Sequence, residues 1–502
     1  MNIFKVFIFV LIFGCSFVYA ESFEDFKRSQ ASSFKKYADE RDNAFNKYLK
    51  AEWKAYAQHR GIKLYEKPKP KKIAHAIPKQ IRSVGPKIKI RVKHVKQVKQ
   101  IKKPKIIKQP EIKKVRIRKP IVKSKPKKKV LVIKKDINFK FFGSNVGFDV
   151  PMGIKNARYY PHNQKGIENF FSSAASSDYK ILLQEINSIR KSLNLNDWGT
   201  YLLVLKISQH IYINSDDSKL LSWFIFNKLG YAVKVGLAHN HVVLMHYSKK
   251  VIYATPNYSF GKKKFYVVAN YAKGSVGKLY SYKQDYPGAN KPLDLSLKSL
   301  PKFPPNLKDS TLTFKEYGHR YMVDYKYNKN IIDFMATYPQ ADYETFFNAP
   351  MESISYLSVA KGLKKYVDGK KASDALNFVL HFVQKSFGYE RDDQQFGREK
   401  VMFAEETLYY KKSDCEDRAV LYSYLVKELF GIGVIGVKYK DHMATALYIP
   451  MNGDSVQDGS RKFVVADPTY INASIGQSMP KYRSQIPQSF IVVRRDSYRS
   501  NK

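Results

Sequence analysis

The stretch that decides the fold runs from residue 413 to residue 449 and reads SDCEDRAVLYSYLVKELFGIGVIGVKYKDHMATALYI. After Cys415, apolar residues recur at helical spacing up to residue 429, and Gly431 is a residue at which a helix commonly ends. Two strand-like apolar runs follow over residues 434–439 and 444–449, separated by a Lys-Asp turn. The pattern predicts a helix that begins near Cys415 and leads into an antiparallel strand pair.

Three residues at the ends of these predicted elements have the types and the order of a cysteine acyl-transfer triad: Cys415, His442 and Asp467. Cys415 lies at the predicted helix start, where the helix dipole and free backbone N–H groups favour a thiolate and can stabilise an oxyanion. His442 begins the second strand, and Asp467 closes a further strand over residues 463–466. Neighbouring strand ends can place an imidazole beside a carboxylate, which would orient His442 to activate the thiol.

The thiol itself has two interpretations. A lone cysteine is commonly a small buried apolar residue. Here the charged neighbours Glu416, Asp417 and Arg418 argue against a core position. We therefore interpret Cys415 as a reactive thiol.

This part of the chain, residues 372–479, resembles the transglutaminase-like superfamily, the papain-related group with a Cys-His-Asp triad. The resemblance rests on Ser-Asp-Cys415-Glu-Asp-Arg-Ala, on His442 before Met-Ala-Thr-Ala, and on Ala-Asp467-Pro-Thr-Tyr. It implies an α+β papain-like domain in which a helix packs on an antiparallel sheet. It also implies that Cys415 is the nucleophile, His442 the general base and acid, and Asp467 the orienting carboxylate. The family often adds an upstream oxyanion donor, for which Gln394 and Gln395 are both candidates.

An earlier part of the chain repeats these motifs in the same order. Residues 204–209, 215–217 and 254–258 parallel residues 379–384, 413–415 and 466–470, and His241 parallels His442. This pairing puts Asp217 at the thiol position and Thr255 at the Asp467 position. We therefore predict a degenerate, non-catalytic transglutaminase-like domain over 137–290 and a catalytic one over 308–502, with the Pro- and Lys-rich stretch 287–307 between them. Chance similarity of short motifs is the alternative.

The first twenty residues have the composition of a secretory signal peptide, with Lys5 ahead of an apolar stretch and a cleavage motif at Ala20. The alternative is a lipoprotein signal with lipid attachment at Cys15. Both predict an exported protein in the periplasm or at the cell surface. Cys415 would then be the single cysteine of the mature chain, so no intramolecular disulfide is expected.

Residues 21–60 carry aromatic residues at an 11-residue period, of which Phe34 and Phe45 share one phase and Tyr37 and Tyr48 another. The spacing predicts an amphipathic helix with a nearly straight aromatic stripe. Self-association through this stripe and packing of the stripe on the protein's own domains both fit the pattern.

Residues 61–136 form a Lys- and Pro-rich stretch that we predict to be a disordered basic linker. Residues 61–140 hold 30 Lys and Arg against 3 Asp and Glu, and the whole chain has a formal net charge of +46. Export makes nucleic acid an improbable partner, and an anionic envelope polymer or a membrane surface fits better.

The sequence therefore predicts an exported cysteine-dependent acyl-transfer enzyme, of peptidase, amidase or transglutaminase type. It would act through a thioester on peptide or isopeptide amide bonds of a protein or peptide substrate in the cell envelope. The alternative is a non-enzymatic envelope scaffold with transglutaminase-like domains. A metal site at His239, His241 and His246 lacks a supporting carboxylate or cysteine cluster, and there is no phosphate-binding loop, so no cofactor is expected.

Overall fold

A computed structural model describes residues 23–50, 53–59, 73–79, 81–90, 135–268 and 276–494. The chain is a mixed α+β protein with 37% helix and 23% strand, and its sheets are antiparallel apart from one two-residue parallel pair. This confirms the α+β class and the antiparallel character predicted from the sequence. None of the described helices combines the length and the apolar character that crossing a bilayer requires. The predicted signal peptide 1–20 lies outside the described residues.

The described helices are α1 Phe23–Lys50, α2 Met152–Asn156, α3 Gln164–Ala175, α4 Tyr179–Ser192, α5 Asp197–Ile211, α6 Ser215–Lys228, α7 Lys329–Met335, α8 Tyr343–Phe347, α9 Ser353–Val367, α10 Ala372–Lys385, α11 Asp392–Gln395, α12 Ala404–Tyr410 and α13 Cys415–Phe430.

The described strands are β1 Lys54–Tyr56, β2 Ile137–Phe141, β3 Ser144–Phe148, β4 Val233–Ala238, β5 His241–Tyr247, β6 Asn257–Phe260, β7 Lys263–Tyr266, β8 Leu279–Ser281, β9 Leu307–Glu316, β10 His319–Asn328, β11 Gly388–Tyr389, β12 Lys412–Ser413, β13 Val434–Lys438, β14 Met443–Leu447, β15 Ser455–Asp458, β16 Arg461–Ala466 and β17 Ser489–Val492.

Helix α13 is the central element of the second half of the chain, residues 307–494, whereas the first half is residues 135–290. Every residue from 415 to 426 is buried, because the helix packs between β13 and β14 on one side and α10 and α12 on the other. The helix ends at Gly431, whose φ of 67° lies in the left-handed region that favours glycine. The adjoining sheet has the order β15-β16-β14-β13-β17, and all of its pairs are antiparallel. The helix and the strand pair predicted around residues 413–449 are thus both present.

The first half repeats this arrangement. Helix α6 leads into β4 and β5, and the sheet has the order β8-β4-β5-β7-β6, extended by β1 beside β8. Each strand from β4 to β8 has a counterpart from β13 to β17 at the same position in the sheet. Matching order in both helix and sheet supports an internal repeat more strongly than the short sequence motifs do.

Helix α1 packs on the first half. Phe45 has no exposed surface and makes edge-to-face contacts with the rings of Phe171, Tyr282 and Tyr286. Tyr37 of the same helix is 62% exposed. The aromatic stripe is therefore partly used for packing on the protein's own domain, one of the two roles predicted for it.

Part of the predicted linker is bound to the second half. The N–H of Ala76 donates to the carbonyl oxygen of Ile471, and the N–H of Ile471 donates to the carbonyl oxygen of Ala74. Further along, Ile88 exchanges backbone hydrogen bonds with residues 369 and 370. The prediction of disorder across 61–136 is wrong for residues 73–79 and 81–90, because backbone groups, which composition does not register, hold them in place.

Glu405 provides a stability prediction that depends on pH. It is fully buried in α12, where it accepts hydrogen bonds from Ser355 and from the N–H of Glu352. Burial raises the pKa of Glu405 from 4.5 to about 7. Because the pKa is higher in the folded state, the protonated carboxyl of Glu405 stabilises the fold fully below its unfolded pKa of about 4.5. This contribution to the free energy of unfolding is lost as pH rises through about 7.

We expect Glu405→Gln to abolish this loss, because the neutral amide can accept the N–H of Glu352 with its oxygen and donate to the Ser355 hydroxyl with its nitrogen. The variant should gain about 3 kcal/mol in free energy of unfolding relative to wild type between about pH 4.5 and 8. Urea denaturation at both pH values measures the difference. A pH-independent difference between the two chains would contradict the assignment.

Candidate active site

Cys415 is the first residue of α13, and only 1% of its surface is exposed. The short strand β12 brings the chain to this point by pairing with β11, and Asp414 forms the helix N-cap. The N–H of Asp414 donates to Oδ2 of Asp417 at 3.2 Å, which fixes the first turn. The thiol therefore lies at a helix N-terminus, where the first backbone N–H groups have no intrahelical acceptor.

His442 and Asp467 meet at one end of the second sheet. Nε2 of His442 lies 2.8 Å from Oδ2 of Asp467, and both side chains are buried. The register explains the contact: Thr445 pairs with Ala466, so the start of β14 and the end of β16 fall at the same edge. Oδ1 of Asp467 accepts the N–H groups of the two residues that follow Pro468, at 2.9 and 3.2 Å, which fixes the carboxylate.

Tyr482 packs against the His442–Asp467 pair. Its ring stacks on the imidazole of His442, with a centroid distance of 4.8 Å and an interplanar angle of 18°. Its hydroxyl donates to Oδ1 of Asp441 at 3.0 Å. Burial raises the pKa of Tyr482 well above its usual range, and its hydrogen bond to the Asp441 carboxylate raises it further. The structure thus brings His442 and Asp467 into contact, and it buries Cys415 at the start of α13, which packs on strand β14.

The thiol has an acidic environment that sequence reasoning missed. Sγ of Cys415 donates to Oε2 of Glu416 at 3.1 Å. Carboxylate oxygens of Asp392, Asp414 and Asp417 also lie within 4.8 Å of one another beside it. The expectation that charged neighbours exclude a core position is wrong, because Glu416, Asp417 and Arg418 are all buried with the thiol.

Arg418 provides the positive charge that this acidic region requires. Its guanidinium donates to Ser413 Oγ at 3.1 Å and to the carbonyl oxygens of Gln384 and Phe387 at 3.0 and 2.8 Å. Burial lowers the pKa of Arg418 to about 10, so it remains charged at neutral pH. The side chain therefore fastens the start of α13 to the end of α10.

Gln384 is a second positioning residue that the sequence gave no reason to select, apart from its place in the repeat. Its Nε2 donates to the carbonyl oxygens of Asp467 and Ala473, each at 2.9 Å. Its Oε1 accepts the N–H of Asn472 at 3.1 Å. The side chain holds the loop after β16 in place and with it the carboxylate of Asp467.

The predicted oxyanion donors lie on α11, near the start of α13. Asp392 of the same short helix places a carboxylate oxygen within 4.8 Å of those of Asp414 and Asp417. Gln394 is exposed, whereas Gln395 is half-buried. Both glutamines remain candidates for this role.

The helix N-caps correct the alignment of the two halves. Asn214 caps α6 and Asp414 caps α13, so Ser215 occupies the position of Cys415. Matching hydrogen bonds support this: Asp217 and Asp417, two residues further along each helix, both accept an upstream backbone N–H. The prediction that Asp217 replaces the thiol is therefore wrong: the residue at the thiol position is Ser215, two residues earlier.

The other two positions of the first half also differ from a working triad. His241 begins β5 as His442 precedes β14, but its side chain is 79% exposed and pairs with Asp216 at 3.0 Å. Strand β7 corresponds to β16, so the counterpart of Asp467 follows β7 outside the described residues. Thr255, which precedes β6, is not that counterpart.

The three histidines considered for a metal do not form a ligand group. His246 is buried, and burial lowers its pKa to about 3, so it is neutral. Among the residues that the structure describes, the side chains close enough to share an ion are acidic groups around Cys415, and His239 and His241 are not among them.

The chain was compared with protein-family models, with curated proteins and with solved structures, and none of the three comparisons found a match. Functional inference for this protein therefore rests on the geometry of the side chains described above.

Proposed function

We propose that this chain is a cysteine-dependent acyl-transfer enzyme of the transglutaminase-like type, acting on amide bonds of peptides. The observation that carries the proposal is the buried His442–Asp467 hydrogen bond of 2.8 Å at the sheet edge beside a helix that begins with Cys415. A thiol at a helix start and an imidazole oriented by a carboxylate are the parts that nucleophilic catalysis requires.

The reaction proceeds in two steps on these groups. Nε2 of His442 is hydrogen-bonded to Asp467, so Nδ1 is the nitrogen that can act as the base. Nδ1 takes the proton from the thiol as sulfur attacks the amide carbonyl carbon. Free N–H groups at the start of α13 stabilise the resulting oxyanion. His442 then protonates the departing amine, which leaves a thioester on Cys415. Water or a second amine attacks the thioester, and the thiol regains its proton.

The described conformation is closed. Cys415, His442 and Asp467 are each no more than 2% exposed, and Tyr482 covers the imidazole. Substrate entry requires the loop of residues 476–488, which carries Tyr482, to move away. Export to the cell envelope and attraction of the basic stretch 61–136 to an anionic polymer or membrane surface belong to the same proposal.

Replacement of Cys415 by alanine tests the chemistry. Wild-type protein incubated with a panel of glutamine-containing peptides and hydroxylamine should form peptide hydroxamates, and intact-mass measurement should detect an acyl adduct at Cys415. Cys415→Ala should lose both signals, because no thioester can form. A Ser423→Ala variant, which removes a buried hydroxyl elsewhere on α13, is the control and should retain them. Products that are unchanged in Cys415→Ala would contradict the proposal.

A second function, a non-enzymatic envelope scaffold, is favoured by one observation. The thiol donates its proton to Glu416 and is fully covered, an arrangement that keeps sulfur protonated. A scaffold would bind partners equally well with alanine at position 415. Full function of Cys415→Ala in cells lacking the native chain would favour this candidate, and loss of function would exclude it.

A further inference from the structure

A large cleft separates the two halves of the molecule, with a volume of about 1840 Å³. One wall is a single face of α5, whose residues follow one another at helical spacing. This face is aromatic at Trp198 and Tyr201, aliphatic at Leu205, and polar at Lys206 and Gln209. The opposite wall belongs to the second half and comprises residues 336–340 with parts of 391–399.

Gln340 is the feature of this cleft that indicates a ligand. It is 5% exposed and lines the cleft, and its backbone carbonyl oxygen accepts the N–H of Tyr253. Neither Oε1 nor Nε2 of its side chain has a hydrogen-bond partner within the described part of the chain. A buried amide without partners is costly. The donor and acceptor of a peptide group match those of this side chain.

The charges that line the cleft indicate the sign of the ligand. Lys140 and Lys206 are exposed in the first-half wall, and neither makes an ion pair with any residue that the structure describes. In the opposite wall, Arg391 is paired with Asp393, and the wall also carries Arg398, Asp392 and Glu399. The lining of the cleft as a whole holds five Lys or Arg against three Asp or Glu, and its exposed, unpaired lysines on the first-half wall would attract a carboxylate.

The cleft also extends towards the candidate nucleophile. Asp392 lines its second-half wall, and a carboxylate oxygen of Asp392 lies within 4.8 Å of one on Glu416. Glu416 in turn accepts the hydrogen bond of the Cys415 thiol. Two side chains thus connect the end of the cleft to the sulfur.

We propose that this cleft binds the acyl-donor substrate, and that the substrate is an extended peptide with acidic side chains. The face of α5 from Trp198 to Gln209 is about 17 Å long, enough for roughly five extended residues. Gln340 pairs with a peptide group, the aromatic residues contact side chains, and Lys140 and Lys206 bind carboxylates. This inference rests on the proposed function and adds a substrate class to it.

Binding is measured on the full chain carrying Cys415→Ala, so that no turnover occurs. The probes are two fluorescein-labelled peptides, Glu-Asp-Gln-Glu-Gly and its neutral counterpart Gln-Asn-Gln-Gln-Gly, titrated in fluorescence polarisation. We expect the acidic peptide to bind at least tenfold more tightly at low salt. Lys206→Glu should weaken its binding about tenfold, because it reverses one attracting charge. Gln340→Leu should weaken the binding of both peptides.

Lys315→Glu is the matched control, since this exposed lysine of β9 does not line the cleft. Equal affinity for the two peptides, or equal loss in Lys206→Glu and Lys315→Glu, would overturn the inference. Thiol chemistry is measured separately. Turnover by wild type without cleft binding would overturn this inference alone, whereas cleft binding without Cys415-dependent turnover would overturn the proposed function and leave the cleft as a site for acidic peptides that are not acyl donors.

Discussion

Replacement of Arg418 by methionine is expected to lower the free energy of unfolding by about 3–5 kcal/mol. The guanidinium is 1% exposed and donates to Ser413, Gln384 and Phe387, so its loss leaves three buried acceptors without these donors. It also leaves the carboxylates of Asp414 and Asp417 without their nearby positive charge. Methionine fills part of the volume but supplies neither donor nor charge.

Urea denaturation followed by far-UV circular dichroism measures this effect. Arg320→Met is the control, because Arg320 is exposed on β10 and a change there should cost less than about 0.5 kcal/mol. Equal destabilisation of the two variants would show that Arg418 does not hold the start of α13 in place.

Replacement of Asp467 by asparagine is expected to reduce kcat/KM for amide substrates by a factor of ~10²–10⁴. The carboxylate accepts the hydrogen bond from Nε2 of His442, which fixes the ring. In the proposed mechanism it also stabilises the imidazolium that forms during the reaction. An amide has the same shape but no charge, so its oxygen can still accept the N–H groups of the two residues after Pro468, and Gln384 still donates to the backbone carbonyl oxygen of this position. The fold should therefore survive while the chemistry slows.

Asp441→Asn is the matched control for this change. Asp441 lies next to His442 in the chain but contacts Lys481 and Tyr482 instead of the imidazole nitrogens. Burial raises the pKa of Asp441, but hydrogen bonds from Lys481 and Tyr482 outweigh this and keep it below its usual range. We expect a less than about tenfold effect on kcat/KM. Similar losses in both variants would contradict the role assigned to Asp467.

Periodicity and turn chemistry were sufficient to predict the central helix and the strand pair. The apolar spacing after Cys415 identifies α13, and Gly431 marks its end. The meeting of His442 and Asp467 was predictable because both lie at strand ends, and adjacent antiparallel strands bring such ends together.

The burial of Glu416, Asp417 and Arg418 could not be predicted, because consecutive charged residues are typical of a surface. Their burial depends on partners distant in the chain, such as the carbonyl oxygens of Gln384 and Phe387. The hydrogen bonds of residues 73–79 and 81–90 to the second half could not be predicted either, because they join backbone groups. Motif matching also misaligned the repeat by two residues, an error that the helix caps and the matching hydrogen bonds of Asp217 and Asp417 reveal.

The most direct test of the central claim is the pH dependence of Cys415 alkylation by iodoacetamide in the full chain. The proposal predicts labelling that persists below about pH 7 in wild type and slows in His442→Ala, because the imidazolium that stabilises the thiolate is then absent. Urea-unfolded protein provides the ordinary thiol profile for comparison. A folded chain that shows an ordinary midpoint unaffected by His442→Ala, or that does not label at any pH, would contradict the claim that Cys415 is an activated nucleophile.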